Sequence, residues 1–395
     1  MRELLRPGRS RRRRSRLGTV LVLAAAAVVS VGAAVGGGVA QAAAPDSGVR
    51  AGTGTAVDAV SAGPVIRWDT TRTVLARNGS WPRLLLGAGA AAGRRDLLFY
   101  TTFNPGKPAT ITVVESTDLG RSGRVISTIP SPAGTIQEQA FPLRLADGTI
   151  LIATRYRTTA LTAYSLPVFA SHDGGRSWTR VGSIDDNPHA AGRGDRGLWE
   201  PFLTTLPNGC VAGMYADELH ADAPPAGGPT YSQTVSERVS CDGGRTWGAE
   251  HLVAASPGDA RPGMPGLARL ADGRFIATFE ACVRDDCNAH YQISRDGVTW
   301  FPGLGTQIPD QNAGPYVTAL SDGRVAVTSA CTNEVSVSAD NGSTWHTQPT
   351  RPFDLTCADG AYPYTWPALY QIGPREVADV VNVGPGTLQI RYGHW

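Results

Sequence analysis

The chain has 395 residues, 42% hydrophobic and 18% charged, with 47 Gly, 28 Pro and a single lysine, Lys107. That length buries an ample core in one domain, and the Gly and Pro content excludes a mainly helical protein in favour of a turn-rich all-β one. Residues 1–42 hold eight Arg against one Glu, so the +2 total becomes a net acidic balance once they are set aside, which excludes a basic nucleic-acid-binding face.

Residues 1–42 read as an export signal. The basic run Arg9–Arg16 precedes an apolar Ala- and Val-rich stretch from Leu17, which ends at the small-x-small site Ala40-Gln41-Ala42. The alternative, an uncleaved membrane anchor, is opposed by Gly36–Gly38 and by the cleavage site. Residues 43–63, rich in Ala, Gly and Ser, read as a flexible linker, and 64–395 as a single catalytic domain.

That domain is built from a repeated unit: a Pro, a short apolar run, a Gly-containing turn and a second apolar run. Its prolines are Pro82, Pro142, Pro201, Pro265, Pro315 and Pro367, spaced 50 to 64 residues apart. Asp147-Gly148, Asn208-Gly209, Asp272-Gly273 and Asp322-Gly323 sit between the apolar runs as hairpin turns. The first unit is looser, with Leu86-Gly87-Ala88-Gly89-Ala90 in place of Asp-Gly. Six units of four short strands predict a six-bladed β-propeller, its ring closed by Val65–Trp68 joining the blade that contains Leu388–Tyr392.

A second motif follows most units. It stands at Ser171–Trp178, Ser240–Trp247 and Ser338–Trp345, one residue short at Ser294–Trp300 and decayed at Ser116–Gly120; the last unit has none. Asp accepts from the turn N–H groups, Gly takes the positive-φ position, Ser or Thr adds a side-chain bond, and Trp covers the hairpin. This S-x-D-x-G-x-T-W pattern is the Asp box, or BNR repeat, and makes residues from about 65 onward resemble sialidases and related propeller glycosidases. Its role is structural.

Six cysteines follow the leader. Export predicts disulfides, with Cys282–Cys287 closing one loop and Cys210–Cys241 and Cys331–Cys357 each stapling one module. Zinc is the rival reading, but no CxxC pair or His spacing supports it. No metal or organic cofactor is called for.

In a propeller blade the start of the first strand and the end of the second line the same mouth of the central channel. The Asp boxes join strands three and four and lie on the opposite face. At the mouth two carboxylates stand out: Glu200 in Gly197-Leu198-Trp199-Glu200-Pro201-Phe202, and Glu280 ending Phe275-Ile276-Ala277-Thr278-Phe279-Glu280 one blade on. Such a pair is what glycoside hydrolysis needs; the bland reading of each is a rim carboxylate held by Arg196 or Arg261. Strand parity counted from each Pro puts Gln139, Asn312 and Tyr364, and also Arg83 and Tyr316, on the face of Glu200. Trp199 and Trp366 are either sugar-stacking platforms or core filler, with core favoured.

Leu198–Phe202, Arg261-Pro262-Gly263-Met264-Pro265 and Phe279-Glu280-Ala281-Cys282 with Cys287 resemble the exo-α-1,5-L-arabinanase family. The resemblance implies a retaining catalytic pair at Glu200, as nucleophile, and Glu280, as acid/base. It also implies a site-lining Tyr at the start of the last blade, for which Tyr364 is the better match and Tyr362 the reserve. The expected site is therefore catalytic Glu200, Glu280 and Tyr364, with Arg83, Gln139, Trp199, Asn312, Tyr316 and Tyr362 on the substrate. The expected protein is a secreted, extracellular monomer that acts on a carbohydrate such as arabinan, without membrane insertion once the leader is removed. A sialidase would use Arg83, Arg155 and Arg261 as a carboxylate-gripping triad and Tyr364 with Glu280 as nucleophile pair, but no Arg-Ile-Pro motif is present. A non-catalytic carbohydrate-binding propeller is the third reading.

Overall fold

The structure is a computed structural model. It describes residues 63–87, 95–188, 196–221, 229–284, 286–301, 303–354 and 364–395, Tyr364 by its backbone alone. The expected leader, nearly all of the expected linker, Tyr362 and Cys357 lie outside the described residues.

The alternating apolar runs form six antiparallel sheets. Blade I comprises Gly79–Leu85, Asp96–Thr102, Thr110–Ser116 and Arg124–Pro130. Blade II comprises Thr135–Arg144, Ile150–Thr158, Tyr164–Ser171 and Thr179–Asn187. Blade III comprises Leu198–Thr205, Val211–Asp217, Thr234–Ser240 and His251–Ala254. Blade IV comprises Arg261–Arg269, Phe275–Val283, Asp286–Ser294 and Thr306–Asn312. Blade V comprises Tyr316–Ala319, Val325–Thr328, Val335–Ser338 and His346–Thr347. Blade VI comprises Tyr364–Gly373, Glu376–Val383 and Thr387–His394.

Blade VI takes its outer strand from the other end of the chain. Arg67 pairs with His394 and Trp68 with Gly393, and Thr73–Ala76 continues along the same edge. This closure removes the open edge that a linear array of sheets would leave. The first strands of successive blades touch in a ring, from blade I round to blade VI and back.

Between blades the inward faces interdigitate. Phe141 of blade II meets Phe202 of blade III at 4.3 Å between centroids, inside a cluster that runs on to Leu267 and Phe279 of blade IV. Each such aromatic contributes about 1.5–3 kcal/mol by leaving water. Cys210–Cys241 and Cys282–Cys287 are disulfides as expected, and Cys331 is disulfide-bonded too.

The Asp boxes join the third and fourth strands of their blades. In blade II, Asp173 accepts from the N–H of Arg176 and Ser177 and from the Ser177 hydroxyl, while Ser171 Oγ accepts from Gly175 N–H. Gly175 has φ +88°, which a side-chain-bearing residue rarely adopts. The decayed copy in blade I keeps the same network, because Ser122 supplies the N–H and hydroxyl to Asp118. What it lacks is the tryptophan: Gly123 stands there. The tryptophans that remain lean on the preceding blade, Trp178 edge-on to Phe99 and Trp300 donating to Glu237.

Candidate active site

Five of the six first strands carry an irregularity at the same level. Pairing slips between Ser80 and Arg83, Glu138 and Phe141, Trp199 and Phe202, Gly263 and Gly266, and Thr365 and Ala368. At each slip one residue has positive φ: Trp81, Gln139, Glu200, Met264 and Trp366, with Gly314 in the corresponding place before blade V. These are β-bulges, which re-aim a side chain out of the pleat. A non-glycine residue before proline is doubly disfavoured in the left-handed region, so Trp81, Glu200, Met264 and Trp366 hold strain that the surrounding ring must offset.

The bulges correct the parity count. In blade II the bulge puts Ala140, not Pro142, in register with Pro201, so Gln139 is the direct counterpart of Glu200 rather than a residue two places earlier. Asn312 also moves: it ends the outer strand of blade IV, opposite Asn288, and does not open the first strand of blade V. An extra residue in a strand breaks period-two counting, and the alternation of apolar residues does not reveal it.

Glu200 and Glu280 come together at the mouth through backbone donors from neighbouring elements. Met264 N–H donates to Glu200 Oε2 at 2.7 Å, and Gly314 N–H donates to Glu280 Oε2 at 2.6 Å. Glu280 is paired across its sheet with Gly263, the residue before Met264. A Cβ on Gly263 would lie 2.7 Å from Gln233 Nε2 and 3.2 Å from Glu200 Oε2, so any side chain there would displace the ends of those two groups. Gln139 Oε1 accepts from the Glu200 N–H at 3.1 Å and so fixes the bulge from blade II.

A polar layer supports this pair. Arg261 donates to Gln233 Oε1 at 2.7 Å and pairs with Glu218 at 2.5 Å, and Glu218 in turn accepts from Gly197 N–H at 2.6 Å. Glu138 binds Arg155 and lies 3.5 Å from Arg157. Burial raises the pKa of Glu200; the Met264 N–H and the Arg155 and Arg261 charges oppose this, and Glu218 adds to it. Burial also raises Glu280, and the neighbouring Glu200 adds to it, pushing it to about 7. Both carboxylates are thus held above the usual carboxylate range by burial, and their mutual repulsion disfavours ionising both at once.

The other expected residues divide. Arg83 is buried, donates to the carbonyls of Pro82 and Trp366, and lies over the rings of Trp81 and Tyr316. Tyr316 packs on Tyr370, and Trp81 on Trp366, so these residues form an aromatic cluster shared by blades V, VI and I. Trp199 is partly exposed, packs tilted against Tyr164, and has the Arg155 guanidinium 4.2 Å from its ring centroid. Tyr364 opens the first strand of blade VI, opposite Val383. The sequence reading overlooked Gln233, for which no local signal exists, and Gly263, whose place inside a strand is itself a sign of close approach. The three arginines of a sialidase triad each have a protein partner: Arg83 on carbonyls, Arg155 on Glu138 and Arg261 on Glu218.

Residues 66–368 match the model of the BNR repeat-like domain. The chain belongs to this family. No curated protein matches it. The BNR repeat-like propeller is similar in structure to an α-L-arabinofuranosidase from Fusarium graminearum solved with an iminosugar inhibitor, with TM-score 0.66 and 18% identity over 82% of this chain and 96% of that one. It is equally similar to an α-L-arabinanase from Penicillium chrysogenum complexed with arabinobiose, with TM-score 0.66 and 19% identity over 82% and 97%. The NanB sialidase from Streptococcus pneumoniae is more distant, with TM-score 0.56 and 10% identity over 81% and 68%. The domain therefore has the fold of glycoside-hydrolase propellers.

Proposed function

We propose that the protein is a secreted, exo-acting, retaining glycoside hydrolase that cleaves an arabinan-type polysaccharide. The observation that carries this reading is the convergence of Glu200 and Glu280 from adjacent blades, each with one carboxylate oxygen fixed by a backbone N–H, with Glu280 pushed to about 7. Glu200 is the nucleophile. Its carboxylate attacks the anomeric carbon while the Glu280 carboxylic acid gives its proton to the departing glycosidic oxygen. Glu280, now ionised, takes a proton from water, and the resulting hydroxide displaces Glu200 and restores both groups. Arg261 favours the ionised form of both carboxylates, whereas Arg155 acts on Glu200 and so favours Glu200 as the ionised partner. The paired cysteines support an oxidising, extracellular setting.

The test is to incubate the chain from Ala43 onward with debranched arabinan and, separately, with sialyl-lactose, and to identify the released sugars. Release of arabinose or arabinobiose by the wild type and its loss in Glu200→Gln and Glu280→Gln are expected. Sialic acid release would move the protein to the sialidases. Silence on both substrates would leave a propeller of this family without the proposed activity.

A further inference from the structure

The geometry points to a divalent-cation site on the outer part of blade III, formed by Asp217 Oδ2, His220 Nε2 and Glu250 Oε1 and suited to a first-row transition metal such as Zn²⁺ or Mn²⁺. One ligand atom from each residue lies within 4.8 Å of the others. His220 Nε2 is 3.8 Å from Asp217 and shares a 2.8 Å hydrogen bond with Glu250 Oε1, which also accepts from the Ser236 hydroxyl; a metal would replace the His220–Glu250 bond by ligation. Ligands held at about 2.0–2.2 Å around one metal stand about 3–3.5 Å apart, so small adjustments bring all three onto a common ion. One imidazole and two carboxylates favour a borderline ion over Ca²⁺ or Mg²⁺, which take oxygen donors.

A second observation separates this cluster from an ordinary acidic surface. Asp217 is 1% exposed, and its Oδ1 accepts from Leu219 N–H at 2.6 Å, which fixes the carboxylate plane. Its Oδ2 is buried without a hydrogen-bond partner. A buried carboxylate oxygen without a hydrogen-bond partner is costly, and it lies 3.8 Å from His220 Nε2. Asp185 does not compete, because Arg238 pairs with it at 3.0 Å and the Tyr215 hydroxyl donates to it at 2.6 Å. His220 and Glu250 are 30% and 22% exposed, which gives an entry path from solvent. A different grouping, Glu280 with Cys282 and Cys287, is closed to metal because its sulfurs form a disulfide. A bound ion would also brace the end of the second strand, where the next residue, Glu218, holds Arg261 and Gly197 beside Glu200.

The experiment is isothermal titration of the metal-stripped protein, from Ala43 onward, with Zn²⁺, Mn²⁺ and Ca²⁺ in turn, followed by thermal melts with each ion. One Zn²⁺ or Mn²⁺ per chain is expected, with a raised Tm. Asp217→Asn and His220→Gln should each weaken binding by at least about tenfold, as loss of a ligand or its support does. His346→Gln, at an exposed histidine of blade V, should leave it unchanged. Melts of the stripped variants show whether they fold; His220→Gln, at a partly exposed position, carries the test if Asp217→Asn does not. No binding by wild type, undiminished binding in either folded variant, or binding of Ca²⁺ alone would overturn the assignment.

Discussion

The two faces of the propeller use the same functional group in opposite ways. On the Asp-box face, hydrogen bonds from Ser177 and from backbone N–H groups hold the exposed Asp173 well below the usual carboxylate range, and Asp242 and Asp296 behave alike. On the mouth face, burial pushes Glu200 and Glu280 up, and no local loop gathers enough donors to reverse it. An Asp box solves its electrostatics within a handful of residues, so its carboxylate only stabilises a turn. The mouth leaves part of its electrostatics unsolved, and that residue of free energy is available to chemistry.

The largest test of this contrast is loss of the proposed nucleophile and acid/base carboxylates. Glu280→Gln and Glu200→Gln should each lower kcat by about 10²–10⁴ or more on a glycoside with a poor leaving group, whereas Asp173→Asn should leave kcat unchanged and lower Tm by a few degrees. Steady-state kinetics and a thermal melt on the three variants check it.

Next is the glycine between the carboxylates. Gly263→Ala should fold, because its cost is confined to the Gln233 and Glu200 side chains, yet lower kcat/KM by about 10- to 100-fold through misplacement of Glu200. Activity near wild type with an unchanged melt would show that the close approach has no role in chemistry.

The pH profile is a finer probe. If Glu280 must carry the proton, kcat/KM falls as pH rises through about 7, and the acid limb belongs to Glu200, which must be ionised. A profile flat from pH 5 to 9 would break the assignment of roles.

The smallest expected effect lies between the two faces, at Glu237. Burial raises it to about 8, with only the Trp300 N–H opposing and Asp296 adding to the shift. The folded state holds its proton more tightly than the unfolded chain, so its contribution is full below the ordinary carboxylate value and is lost as pH rises toward 8. Glu237→Gln should therefore be near neutral at pH 4.5 and stabilising by about 1 kcal/mol at pH 8, read from paired denaturation curves.

The Asp boxes and the prolines made the fold legible, because a box is a local hydrogen-bond circuit that must be spelled in adjacent residues. Even blade I's worn copy kept Asp118 and Ser122, the two residues that its circuit requires. Ring closure was legible too, since Val65–Trp68 is a short apolar run with no partner nearby in the chain, and it pairs with the last strand through Arg67–His394 and Trp68–Gly393. Glu200 and Glu280 could be picked out because each is a carboxylate at the end of an apolar strand, where the blade topology must bring it to the mouth.

What the sequence by itself determined is the repeat, the all-β class, the number of blades and the face on which to look. Tertiary structure alone decided how the mouth is wired: the bulges that turn Gln139 and Glu200 into counterparts, the Gly263 gap, the transfer of Asn312 to the outer edge of blade IV, and the Glu218–Arg261–Gln233 support. Most of those contacts join residues tens of positions apart in the chain, and the Gln139–Glu200 correspondence depends on a one-residue slip in register. Side-chain alternation is insensitive to such a slip until the ring closes and fixes which backbone N–H meets which carboxylate.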